Sequence, residues 1–198
     1  MHADIVILSL ISLLIGFQIY RILKMPEKKK EKDPAWENDK KVVVKEDIPQ
    51  PFKKELEQLS YLDDSFTPDA FGLQTQKSFE LISKYYYMGD VKNLRPLVGD
   101  EVFGVFEASL QKNARLGLKA SFELVRFLKT QIKEITLVGK TVQVKVLFET
   151  EQISHTRAGD GKLIAGSDEK IQKVSDIWIF FKDYNRPRSS FLLIKTQK

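Results

Sequence analysis

Asp176 is the first residue to weigh for chemistry. It lies in Val174-Ser175-Asp176-Ile177-Trp178-Ile179-Phe180, an acid set among apolar residues at strand period. A carboxylate in that setting can serve as a proton-transfer base in an apolar interior. It can equally bond neighbouring donors and fix a sheet. The second use is the commoner, and we read Asp176 as structural. Trp178 falls on the same face two residues later; it lines a pocket or fills a core, and an aromatic at strand period reads as core. His155 stands beside Ser154 and Arg157 without a clear acid and nucleophile around it, so it reads as a surface residue. Tyr85, Tyr86 and Tyr87 cannot all face one core. One or two of them are therefore expected at a pocket mouth, a membrane or a partner face. Gly159-x-Gly161 lacks the third glycine and the following helix of a dinucleotide site and reads as turn chemistry. No catalytic, cofactor-binding or metal-ligating residue is assigned, and no cofactor is expected.

Composition narrows the classes further. The chain has 198 residues, 42% hydrophobic and 30% charged, with a net charge of +5. That is enough apolar content for a core and enough length for one domain with appendages. Cysteine is absent, which removes disulfides, thiolate metal sites and cysteine nucleophiles. Two histidines, His2 and His155, exclude a multi-histidine metal site. No G-x-x-x-x-G-K-[ST], G-x-S-x-G or H-E-x-x-H occurs. Nothing here asks for an enzyme, and a non-enzyme is the expectation.

The elements that must position these residues lie in the last two thirds of the chain. Thr67 is an N-cap, Pro68 a first helical residue, and Asp69 complements the helix dipole. Phe71, Thr75, Phe79, Ile82 and Tyr86 then form one stripe at helical spacing. Gly89 stops this helix and Asp90 caps a second one carrying Val91, Leu94 and Leu97, kept short or kinked by Pro96. Gly99 and Asp100 repeat the stop-and-cap signal before a third helix from Glu101 to about Leu116, with Phe103, Phe106 and Leu110 on one face. Gly117 closes it. A strand is expected over Leu118–Leu137, and Gly139-Lys140 is a turn. Val142, Val144, Val146 and Phe148 alternate along a second, half-buried strand. Ala158 to Gly161 is a hairpin tip or loop. Lys170–Lys182 and Phe191–Lys195 are two further strands. The fold class is α+β, with helices packed in a strongly curved antiparallel sheet that makes a cone with an apolar interior.

Ahead of this domain, residues 1–25 read as a transmembrane anchor. Ile5–Leu23 is uncharged until Arg21 and, as a helix, spans about 28 Å, near the thickness of about 30 Å of a hydrocarbon core. Asp4 precedes the run; Arg21, Lys24, Lys28, Lys29, Lys30 and Lys32 follow it. The positive-inside bias then leaves the C-terminal bulk in the cytoplasm, and the cations could touch anionic lipid. Residues 26–64 read as a charged flexible linker: over Glu27–Asp64, 20 of 38 residues are charged. Within it, Phe52–Leu62 carries Leu56, Leu59 and Leu62 at amphipathic spacing, with docking on the domain, the membrane or a partner left open. Residues 65–198 form the folded domain and carry 21 Lys and Arg against 15 Asp and Glu.

Four features in order resemble a known family. They are Phe66-Thr67-Pro68-Asp69-Ala70-Phe71; the Gly89-Asp90 break followed by Leu94 and Leu97; Asp100-Glu101-Val102; and the Val174–Phe180 strand. Behind an N-terminal anchor they look like the Tim44-like domain family, which includes the C-terminal domain of the mitochondrial import-motor anchor and its alphaproteobacterial relatives. The resemblance covers about Phe66 to Lys198. It implies a nuclear-transport-factor-two-like cone and non-enzymatic adaptor work near a membrane. The anchor and short charged linker look like the bacterial members, in place of the presequence and long chaperone-engaging region of the mitochondrial protein.

The expected function is an inner-membrane adaptor whose cytosolic domain binds protein partners, the membrane surface or both, in protein translocation or membrane-protein biogenesis. Translocon, chaperone or ribosome are the partner classes. Nucleic acid is not expected, ribosomal RNA excepted, and no small-molecule substrate is expected. The alternatives are a secretion-system assembly subunit with its cone outside the cytoplasm, and a pocket-bearing enzyme of the same fold.

Overall fold

The computed structural model describes residues 52–197. The expected anchor, Ile5–Leu23, its flanking cations and most of the expected linker lie outside the described residues. Among the described residues no helix is long and apolar enough to cross a membrane.

Four helices precede five strands: α1 (Lys53–Leu62), α2 (Pro68–Met88), α3 (Val91–Leu94) with a 3-10 turn over Arg95–Leu97, α4 (Asp100–Arg115), β1 (Lys119–Val138), β2 (Thr141–Arg157), β3 (Leu163–Gly166), β4 (Gln172–Asp183) and β5 (Leu192–Gln197). The strands make one antiparallel sheet in the order β1-β2-β4-β5, and β3 pairs with the far end of β2. The architecture is α+β with an antiparallel sheet, as the sequence leads one to expect.

Helix α2 forms where its signals place it. The Thr67 hydroxyl accepts from the Ala70 amide at 3.2 Å, and Gly89 ends the helix in the left-handed region at φ 68°. Phe71, Thr75, Phe79, Ile82 and Tyr86 are all buried, so the stripe is the core face. Asp90 caps α3 through the Asn93 amide. The helix opening at Asp100 departs from its expected cap. Gly99 occupies the cap position without a side-chain bond, and Asp100 is the first helical residue, paired with Arg95. Arg95 also bonds the Val98 carbonyl at 3.1 Å, so the acid ties the preceding turn to α4.

Two elements differ from expectation. Of the two readings of Ala158–Gly161, hairpin tip or loop, the structure has the hairpin; its second strand, the four-residue β3, is too short for period two to register, and Leu163 and Ile164 stay exposed. Its last residue explains its seat. Gly166 has φ 80°, and a Cβ there would lie 2.0 Å from the Ser154 carbonyl oxygen, so only glycine lets β3 close on β2. The second difference concerns the linker. Its last part, Phe52–Asp64, is folded onto the domain rather than flexible. Leu59 of α1 is fully buried, and Phe52 and Leu56 pack against the same core. Asp63 then accepts from Lys182 at 3.0 Å and from the Tyr184 hydroxyl at 3.1 Å. The folded unit therefore begins ahead of Ser65.

The core lies between the helices and one face of the sheet. Val142, Val144, Val146 and Phe148 of β2 point into it, all 1% exposed or less, with Trp178 and Phe180 of β4 beside them. The register sets Val146 opposite Trp178 and Val144 opposite Phe180. Phe79 of α2 drops among these rings, 4.6 Å from Trp178, 5.1 Å from Phe148 and 5.5 Å from Phe127. Along β1 the register slips between Leu124 and Arg126, Phe127 and Lys129, and Ile132 and Glu134. Such bulges bend a strand and spoil its free edge as a template for another chain.

Candidate ligand pocket at the far end of the sheet

Alternation along β2 does not stop at Phe148. Thr150, Gln152 and Ser154 continue on the inner face, so the apolar row becomes polar toward the end that pairs with β3. On β4 the same change comes at Asp176, which stands opposite Phe148 in register, two residues before Trp178. Thr196 of β5 faces Trp178 from the other side. Over these strands lie Phe79, Ile82, Ser83, Tyr86 and Tyr87 of α2 and Phe106 of α4, with Phe122 closing from β1. Together they line a cleft whose mouth is open to solvent.

The walls are aromatic. Tyr87 stacks on Phe122 with ring centroids 5.1 Å apart and planes 12° from parallel. Tyr86 packs on Phe106 at 5.0 Å and bonds Ser109 through its hydroxyl at 2.8 Å. Burial pushes the Tyr87 phenol well above its ordinary pKa, reinforced by Tyr86 and by the carboxylate of Asp176. Tyr86 is raised by burial too, partly offset by its Ser109 bond. Both phenols are therefore neutral over the physiological range. Among the described residues Asp176 is the one carboxylate on the lining.

The polar groups of the lining divide sharply by partner. Tyr86 is satisfied internally. The side chains of Gln152, Ser83, Ser154 and Thr196 make no hydrogen bond with another group among the described residues. Gln152 is 5% exposed and Ser83 9% exposed, and both line the open cleft.

The residues singled out from sequence fall into three groups. Asp176, Trp178, Tyr86 and Tyr87 meet at the pocket, and Trp178 is core as well, at 7% exposure. Tyr85 packs half-buried against the core beside them. His155 is elsewhere: its Nδ1 lies 3.0 Å from Asp168, which also pairs with Arg157, at the β2–β3 hairpin. Ala158 and Gly161 close that hairpin's turn through a 2.9 Å backbone bond. Sequence reasoning missed Gln152, Ser154, Ser83 and Thr196. Extending the inward period of β2 beyond Phe148 would have reached the first two. No group of three or more metal-ligating side chains exists among the described residues.

The model of the Tim44-like domain family matches residues 52–198. No curated protein sequence matches the chain. Matching solved structures include the intermembrane space region of the chloroplast protein ARC6, at a TM-score of 0.44 and 10% identity over 64% of this chain and 94% of that one. That likeness is too loose to carry function.

Proposed function

The chain belongs to the Tim44-like domain family, and from that premise we propose that it is a membrane-anchored adaptor that works by binding and not by catalysis. The observation that supports this best is how the inner face is filled. Phe79, Phe127, Phe148 and Trp178 pack ring against ring at 4.6–5.9 Å. Open space is left at one end of the sheet instead of running through an interior chamber. In this reading the curved sheet and helices form a nuclear-transport-factor-two-like cone. Ile5–Leu23 anchors it in the inner membrane, and the lysines after the anchor hold the domain in the cytoplasm. Its partners are proteins of translocation or membrane-protein biogenesis, the membrane surface, or both.

Asp176 on the pocket wall favours a second reading, an enzyme that uses the carboxylate as a base. The secretion-subunit reading differs in placing the domain on the other side of the membrane. Two measurements test the adaptor. A reporter active only outside the cytoplasm, fused after Lys198, should stay silent; strong activity would move the domain across the membrane. Affinity capture of the full chain from its native membrane should return defined protein partners with lipid. Recovery of the chain alone, under conditions that preserve membrane complexes, would remove the adaptor.

A further inference from the structure

We propose that helix α1 is a releasable strap: it leaves the domain as one unit, freed at Asp63, while α2–α4 and the sheet stay folded. This goes beyond the adaptor reading and does not depend on it. Three features carry it. The first is that α1 is weak as a helix. It has ten residues, Phe52 holds its N-cap position without a side-chain bond, and its last turn has no basic residue. Isolated helices shorter than about 12 residues are marginal in water, so α1 persists only in its seat. The second is that the seat rests on few groups. Leu59 is the one fully buried residue of α1, with Phe52 and Leu56 partly buried against the core. The polar fastening is at Asp63, which accepts from Lys182 at 3.0 Å and from Tyr184 at 3.1 Å.

The third feature is a cost of docking that release removes. Glu55 lies one turn before Leu59 on the same face. Its Oε2 is buried without a hydrogen-bond partner among the described residues, which opposes the seated state. In the released state that oxygen meets water, and so does the Asp63 carboxylate. Lys182 is not stranded, because the faces of Tyr184 and Phe191 lie 4.3 and 5.5 Å from its Nζ and belong to the domain. The strap also stands in series with the chain. The 51 residues ahead of Phe52 join the domain through α1, so a pull or a partner acting on them reaches the domain there first.

Hydrogen exchange on the full chain in nanodiscs tests this, read by mass spectrometry over Glu57–Asp63 of α1 and Val142–Phe148 of β2. The Asp63 amide closes α1 on the Leu59 carbonyl at 2.9 Å, and β2 is paired on both sides, with β1 and β4. The α1 amides should exchange together, at least roughly tenfold faster than those of β2. Asp63→Asn should speed α1 by roughly tenfold or more, since a hydrogen bond to a charged group is lost. Phe148→Leu should speed β2 and leave α1 unchanged, because the core is intact with the strap on or off. If Phe148→Leu does not fold, low urea serves instead: it should speed β2 more than α1, whose opening exposes less surface. The proposal is overturned by any of four results. These are α1 exchanging at the rate of β2; a gradient along α1 with the Asp63 amide as slow as β2, which is fraying and not release; α1 unmoved by Asp63→Asn; or Phe148→Leu, or urea in its place, speeding α1 as much as β2.

Discussion

The two ends of the sheet treat their polar groups in opposite ways. At the β1–β2 hairpin end, Asp63 collects hydrogen bonds from Ser65, Lys182 and Tyr184, and α1 covers the rest with Leu59. At the far end, Gln152, Ser83, Ser154 and Thr196 are brought onto one surface and left without side-chain partners among the described residues. At one end polar side chains are tied to one another across the fold; at the other they face an open cleft.

The largest effect that bears on this contrast comes from the residue shared by both regions. Trp178→Ala empties a large aromatic site whose side chain touches Phe79, Phe148 and Phe180. It should cost about 3–5 kcal/mol in chemical denaturation. A loss below about 1 kcal/mol would show that Trp178 belongs to the pocket and not to the core.

Leu59→Ala comes next. The helix that carries it has ten residues and lies at the edge of the fold, where it can settle into the vacated space. The expected cost is therefore about 2–3 kcal/mol, the lower part of the leucine range. No change in the denaturation midpoint would mean that α1 is merely resting on the domain and that the folded unit starts at Ser65 after all.

Asp63→Asn removes the charge from the seam and should cost about 1–3 kcal/mol. It also carries a pH signature. The bonds from Ser65, then Lys182 and Tyr184, hold the Asp63 carboxyl below its ordinary range, against the opposing pull of burial. A group depressed in the folded state adds stability above its unfolded pKa, about 3.9 for aspartate. That stability is lost as pH falls through the lower folded value. Melting temperature should therefore drop more steeply with acidification below about pH 4 in the parent than in Asp63→Asn; parallel curves would detach Asp63 from the stability of the seam.

The smallest effects are predicted at the polar end. Thr150 has a fully buried hydroxyl without a partner, and Thr196 lines the pocket. Thr150→Val and Thr196→Val should fall within about 0.5–1 kcal/mol of the parent, in the stabilising direction for Thr150, because no internal hydrogen bond is broken. A clear destabilisation of both would show that these hydroxyls are structural and erase the difference between the two ends.

How far the sequence could carry this account depends on the range of the interactions involved. Helix α2 is legible because its evidence is local: the Thr67 cap, Pro68, five apolar positions at helical spacing and Gly89. The β2 core is legible for the same reason, through Val142 to Phe148. The seam is not. Asp63 meets Lys182 and Tyr184 across 119 and 121 positions of chain, and nothing near Asp63 announces that meeting. A stretch as charged as Glu27–Asp64 then reads as linker throughout. The pocket is half legible. Asp176, Trp178 and Tyr87 stand out by type, whereas Gln152, Ser154 and Thr196 are ordinary polar residues. They gain significance only when parity along the strand puts them on the inner face. The short β3 rests on Gly166, whose necessity is a clash with Ser154 that sequence does not display.

The central claim is that this domain acts by binding and not by catalysis, with Asp176 a structural residue. Asp176→Asn tests it most directly. The variant should be measured by melting curve, by partner capture from the native membrane, and by complementation of the cell lacking the protein, all under the same conditions. The account predicts that cellular function and capture fall together, only as far as the folded fraction falls. A variant that is fully stable, captures its partners as the parent does and yet has lost its cellular function outright would contradict it and make Asp176 a catalytic carboxylate.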